Sequence, residues 1–279
     1  MKTIFYNSKD IHWRIPSRER LFHRLGEYDT MAEFTVLSEL HFESLCRQSG
    51  DFANFVNTKA EEFNVKIRCG VSLENYREAL YKSFMVNSHA MFNDFIYNFK
   101  DDLKLYVQHD FSMLDNNKLS TYERLEHSME NNGFNLNIPS WLDDVVSYYR
   151  LIRNHVAHND NDDKECHKAY NKIDLNKMLE DYPVFSGKAP NPPGQITIED
   201  FYLYSASIKH VANLLSISIQ GHEKWSSIGQ HHPRLQRANI PSGTDKRKLV
   251  HLILNELGHK CIKEEVDKIL DDVRNQYKQ

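Results

Sequence analysis

From residue 73 to about 107 the chain repeats apolar side chains at helical spacing, with Leu80, Phe84, Met91, Phe95 and Phe99 on one stripe and Phe92, Leu103 and Tyr106 widening it. A stripe that long and that wide needs other helices to cover it, so the feature points to an all-α core helix. Composition agrees: 10 Gly and 8 Pro in 279 residues are too few for a turn-rich β-sandwich. The length suits one enlarged domain, or one domain with an appendage.

The same period predicts further helices. Phe34, Leu37, Leu40, His41 and Leu45 mark one over 31–47, and Phe52, Phe55 and Val56 mark another after Gly50. A short helix is expected over 120–130, ended by Asn131-Asn132-Gly133. Ser140 reads as the N-cap of a helix running to about Ala157, with Asp143 and Asp144 placed where the helix dipole favours carboxylates. One more helix is expected over 165–181, then a proline-dense loop over 183–194, then a helix striped by Phe201, Tyr204, Ile208, Val211, Leu215 and Ile219. Residues 1–30 lack a sustained period and read as an arm lying over the body. Residues 223–279 read as a linker followed by a helical hairpin over 245–257 and 262–276, an element suited to oligomerisation or partner binding.

Charge and cysteine usage remove several classes of function. With 35 basic and 39 acidic residues the net charge is −4, so no global positive field recruits a polyanion. DNA reading by the C-terminal hairpin is disfavoured because Glu264, Glu265, Asp267, Asp271 and Asp272 would repel phosphates. Cys46, Cys69, Cys166 and Cys261 lie far apart and signal neither a disulfide framework nor a zinc knuckle. His222, Glu223, His231 and His232 could be assembled into a metal site, but adjacent histidines in a linker are more simply solvated, and no metal or other cofactor is expected. The start, MKTIFYNSKDIHWR, has no apolar signal core, and nothing approaches the ~20 apolar residues of a membrane span, so a cytoplasmic protein without membrane contact is expected.

Chemistry concentrates in RLIRNHVAHND, residues 150–160, where Arg153, Asn154 and His158 set a guanidinium, an amide and an imidazole close together. On a straight helix Asn154 and His158 lie about 40° apart around the axis, whereas Arg153 and His158 lie about 140° apart. Joint action of the last two therefore requires the helix to end or bend near His158.

This segment resembles the R-x(4–6)-H motif of the HEPN family, in which a polar residue follows the Arg. The order of SHAMFNDFIYNFKDDL (88–103), ERLEHSMENNGFNL and SWLDDVVSYYRLIRNHVAH is also similar, most of all to the RiboL-PSP-like branch, over about residues 31–222. The resemblance implies a HEPN-type helical bundle acting as a homodimeric, metal-independent endoribonuclease, often a toxin or anti-phage effector, whose partners are RNA and an antitoxin or a defence complex. It implies that His158 moves protons, that Arg153 offers its planar fork to phosphate oxygens, and that Asn154 orients one of them. His155, Tyr149, Arg150 and His89 are further candidates for the cleft. Asn159 and Asp160 stand where the nucleotidyltransferase-paired toxins carry their Tyr, so a partner modifying that residue is not implied.

Plainer readings stand beside these. An Arg and a His at a helix end also serve as a C-terminal capping pair. Arg18, Arg20, Arg24, Arg77 and Lys82 could touch RNA phosphates or be ordinary surface charge. The rival class of function is a non-catalytic helical scaffold that binds RNA, nucleotide or a protein partner.

Overall fold

A computed structural model describes residues 15–67, 73–107, 111–158, 163–222 and 224. Among them the chain is all-α, with helices α1 (Pro16–Ser49), α2 (Phe52–Glu62), α3 (Leu73–Asp102), α4 (Thr121–Asn131), α5 (Ser140–His158), α6 (Lys164–Tyr170), α7 (Leu175–Asp181) and α8 (Ile198–Ser218). A π-helical turn, Leu103–Val107, extends α3, and a 3-10 turn spans Pro183–Phe185. No described helix is long and apolar enough to cross a membrane. The C-terminal hairpin expected over 245–276, the linker before it, Cys69 and Cys261 lie outside the described residues.

The chain forms two compact units, and α1, α3, α5 and α8 each contribute to both. In the first unit, whose described residues fall within 15–22, 89–146 and 206–224, the α3 stripe is a line of aromatic rings. Phe92, Phe95 and Phe99 follow one another with centroids 6.1 and 5.4 Å apart, and Phe92 meets Tyr122 of α4 at 5.4 Å. From α8, Ile208, Val211 and Leu215 are fully buried, as is Ile219 just after its end. The start of α1 is held from outside itself, because the buried Asp102 carboxylate accepts the Ser17 backbone N–H at 2.9 Å. An anionic acceptor suits the positive end of a helix. Burial nevertheless pushes Asp102 up to about 6.

α4 begins with a reciprocal cap: Ser120 Oγ accepts from Glu123 N–H at 3.2 Å, and Glu123 Oε2 accepts from Ser120 N–H at 2.6 Å. Gly133, at φ +83°, turns the chain after its end, in a backbone region that a side chain would strain. Replacing Ser120 by Ala should lower unfolding stability by about 1 kcal/mol in urea melts, and an unchanged midpoint would show the cap to be idle.

In the second unit (23–88 and 147–205), Tyr28 of α1, Phe84 of α3 and Phe201 of α8 pack as a triad with centroids 5.4–6.0 Å apart. Arg77 of α3 pairs with Glu39 and Glu43 of α1, and the Tyr81 hydroxyl donates to Glu39 at 3.1 Å.

Two sequence expectations are corrected here. Residues 16–30 are not an arm but the first half of α1, with Leu21 and Leu25 buried. In its second half, α1 buries Ala32, Glu39 and Cys46, whereas Phe34, Leu37, Leu40 and Leu45, which marked the helix, are exposed. The helix expected over 165–181 is two, because the Asp174 side chain caps α7 by accepting from Lys177 N–H at 3.2 Å. In addition, Arg18 donates to Asn213 at 2.7 Å and lies over the Phe22 ring, Arg20 donates to Asn98 at 2.7 Å, and Lys82 pairs with Glu78 at 2.7 Å. Like Arg77, these cations already have partners within the protein.

Candidate functional site

α5 forms because Trp141, Leu142, Val145, Val146, Tyr148, Tyr149 and Ile152 recur on one face, and every one of them is buried. Its residues up to Val146 belong to the first unit, and the part from Ser147 to His158, bearing the polar string, belongs to the second. The helix is unbroken through His158. The bend that joint action of Arg153 and His158 requires is therefore not present up to that residue. Residues 159–162, the acidic run after the motif, lie outside the described residues.

Arg153 is half-buried and donates from Nη1 to Oδ1 of the adjacent Asn154 at 3.0 Å. Its Nε is buried and has no hydrogen-bond partner among the described residues, and no described carboxylate pairs with it. A buried unpaired N–H costs about 1–3 kcal/mol. An oxyanion reaching this end of the helix would satisfy it, with the fork geometry that suits phosphate and carboxylate.

His155 Nδ1 is likewise buried without a described partner. It sits about 200° around the axis from Arg153, so the two do not form one group. Arg150, one turn earlier, joins Arg153 in placing positive charge near the fully buried Tyr204 of α8. Burial is the larger influence on that phenol and raises its pKa, while the two guanidinium groups act in the opposite direction.

Tyr149 does not line a cleft. It is 0% exposed, and its hydroxyl donates to Asp200 at 2.8 Å. His89 is 7% exposed, a core position of the first unit, whereas the motif lies in the second. Of the residues once considered for a metal, Glu223, His231 and His232 lie outside the described residues, and the His222 ring packs on Phe134 at 5.0 Å. No group of three or more His, Cys, Asp and Glu among the described residues is arranged to hold a metal ion.

A support beneath the motif was not anticipated. Four tyrosines run in contact from Tyr170 through Tyr148 and Tyr149 to Tyr204, with successive centroids 5.6, 5.0 and 5.2 Å apart. They are anchored on Asp200, 0% exposed in the first turn of α8. Its Oδ1 accepts from Tyr149 and from Asn191 N–H, and its Oδ2 accepts from Asn191 Nδ2, Thr197 N–H and Thr197 Oγ1, all at 2.8–3.0 Å. Burial raises the Asp200 pKa while these donors pull it down. The Tyr148 hydroxyl donates to the Asn191 carbonyl at 2.5 Å and fastens the proline-dense loop to α5. One signal was legible: Thr197 and Asp200 stand at the N-cap and N3 spacing of a capping box.

In comparisons with known proteins, no family model, no curated protein and no solved structure matches the chain.

Proposed function

We propose that this chain is a ribonuclease of the HEPN type that cleaves RNA without a metal, with α5 as its catalytic helix. The observation that carries the reading is the Arg153 guanidinium, which is held by Asn154, lacks a described carboxylate and keeps a buried N–H in want of an acceptor. Five residues later comes an imidazole, in the order that the family motif requires.

In the reaction, a ribose 2′-oxygen attacks the adjacent phosphorus, the bond from phosphorus to the 5′-oxygen breaks, and the products end in a 2′,3′-cyclic phosphate and a 5′-hydroxyl. One imidazole removes the 2′-hydroxyl proton and a second delivers a proton to the departing 5′-oxygen. Such proton transfer is worth about 10²–10⁴-fold in rate. Arg153 stabilises the charge that builds on the phosphate oxygens. A single motif holds one family histidine, and on an unbroken helix it lies far around the axis from Arg153. Two copies of α5 facing one another supply the acid, the base and the guanidinium groups together. A role as a toxin or defence effector follows from the resemblance.

Purified protein incubated with total RNA in EDTA should release fragments with cyclic-phosphate ends. Arg153→Ala and His158→Ala should each lower the rate at least ~100-fold while the helical circular dichroism is unchanged. Equal cleavage by His158→Ala and wild type would end this reading. RNA binding without cleavage by any of the three proteins would favour the scaffold class instead.

A further inference from the structure

Arg18, Arg20, Arg77 and Lys82 are all engaged within the protein, yet the unit that holds the motif carries a second set of cations, on α6 and just after it. Cys166, 3% exposed, marks the inner side of this short helix. Lys164 and Lys168 leave the axis about 160° and 200° around from it, one turn apart, and Lys172 follows after the helix ends; all three are exposed. Of the carboxylates around them, Asp163 pairs with His167 at 3.2 Å and Asp174 with Lys177 at 3.4 Å, and none described pairs with Lys168 or Lys172. The pattern does not serve the helix. Its seven residues are about half of what a helix needs to stand alone. Lys164 sits in the first turn, where the dipole disfavours a cation, and Lys164 and Lys168 repel one another across one turn. Asp163 stands at the capping position but makes no capping hydrogen bond, its carboxylate lying on His167 instead. α6 is held from outside, by burial of Cys166 and by Tyr170, whose ring meets Tyr148 of α5 at 5.6 Å. Tyr148 lies well before the end of α5 and α6 begins shortly after that end, so α6 runs back alongside the half of α5 that bears Arg153.

We propose that Lys164, Lys168 and Lys172 form a phosphate track on which a single RNA strand lies as it passes α5. The inference rests on the ribonuclease reading for what the strand is brought to, but not for how it is held. With a net charge of −4 the chain exerts no long-range pull on a polyanion, so capture needs a local row of cations that the protein itself does not neutralise. Lysine suits such a row. Strands of every sequence present the same phosphates, and a point charge on a flexible stem follows them without reading bases. One row of cations fits one strand, whereas a duplex is gripped by contacts across a groove.

The test measures binding apart from cleavage. A fluorescein-labelled single-stranded RNA is titrated in EDTA with the full-length His158→Ala protein, and binding is followed by anisotropy from low to moderate salt. In that background Lys164→Gln, Lys168→Gln and Lys172→Gln together should weaken binding by roughly 10-fold or more and lower the slope of log K against log salt by about 2, since each phosphate contact on a single strand contributes about 0.7. Each substitution alone should carry about a third of that change in slope. Unfolding stability should not fall, because the substitutions remove like-charge repulsion, and this separates a lost contact from a damaged helix. Lys177→Gln, which removes a cation already paired with Asp174, should leave affinity and slope as they were. A triple variant that binds with unchanged affinity and slope overturns the track, as does a Lys177→Gln protein that loses as much, and RNA cleavage by the wild type would survive either result. A wild type that binds RNA through these lysines yet releases no fragments overturns the ribonuclease reading alone. One that binds no RNA overturns both.

Discussion

Asp200→Ala should cost about 3–5 kcal/mol of unfolding stability, the largest loss expected from any single substitution in the second unit. The carboxylate is fully buried and accepts five hydrogen bonds from Tyr149, Asn191 and Thr197. Its removal orphans all of these donors at once. Each buried donor left without an acceptor costs about 1–3 kcal/mol, discounted here because neighbouring donors find water in the space that opens. The loss should spread along the tyrosine row to α5, so that Arg153 and Asn154 lose their footing as well. Asp200→Asn keeps the volume and one acceptor oxygen but turns an NH₂ toward groups that themselves donate, so its cost should be intermediate. Urea denaturation of the three proteins checks the order. A change below about 1 kcal/mol in Asp200→Ala would show that the network does not hold the helix.

The row of tyrosines marks the boundary between what the sequence discloses and what it withholds. Periodicity located α8 to within one residue of its end at Ser218, and all six residues of its expected stripe are 0% exposed. It also located α3, α4 and α5, because each carries its apolar face within a single local window, although Ser140, expected as the N-cap of α5, is its first helical residue. α1 was misread at both ends for one physical reason: period reports that a helix has an apolar side, but not which side the rest of the protein covers. In its first half the covered face includes the charged Arg18, whose partner Asn213 lies 195 residues away and leaves no local trace. In its second half the more conspicuous stripe, Phe34, Leu37 and Leu45, is the exposed one.

At the candidate site, the adjacency of Arg153 and Asn154 was legible because it is local. The dependence of Tyr149 on Asp200 was not, since the two lie 51 residues apart. Tyr149 lies on the buried face of α5 with Val145 and Ile152, and its bond to Asp200 satisfies its hydroxyl there, whereas its place one turn before Arg153 had suggested a cleft. The same distinction explains α6 and α7: Asp174 is a capping residue type, but only its contact with Lys177 reveals that a new helix begins there.

Stability should fall as pH rises from the ordinary carboxylate range through neutrality, and Glu126→Gln should remove much of that slope. The Tyr122 hydroxyl lies 2.7 Å from Glu126 Oε1 and 2.6 Å from Asp143 Oδ1, so two half-buried carboxyls meet at one phenol. A phenol has one proton to donate, so two carboxylate oxygens gathered on it leave one without a donor, and a proton held by one of the carboxyls supplies it. Burial, and then the charge of Asp143, push Glu126 well above its ordinary value, with Glu130 acting in the same sense. Burial raises Asp143 too, and Asp144 and Glu130 add to that. The folded protein therefore keeps a proton that the unfolded chain has released, and each pH unit across that window removes up to about 1.4 kcal/mol. Asp102, pushed up to about 6, contributes in the same direction at the lower end. His210 acts oppositely. It is 2% exposed against Trp141 and pushed down to about 3 by burial, so the unfolded chain binds a proton below about 6.5 that the folded one refuses, and stability is lost as pH falls from there. Glutamine at 126 supplies a permanent donor to the Asp143 and Tyr122 oxygens without a proton to lose. It should therefore match or exceed wild type at pH 8 by at least about 1 kcal/mol relative to their difference at pH 5. Parallel pH–stability curves for the two proteins would mean that the shared proton is not what ties α4 to α5.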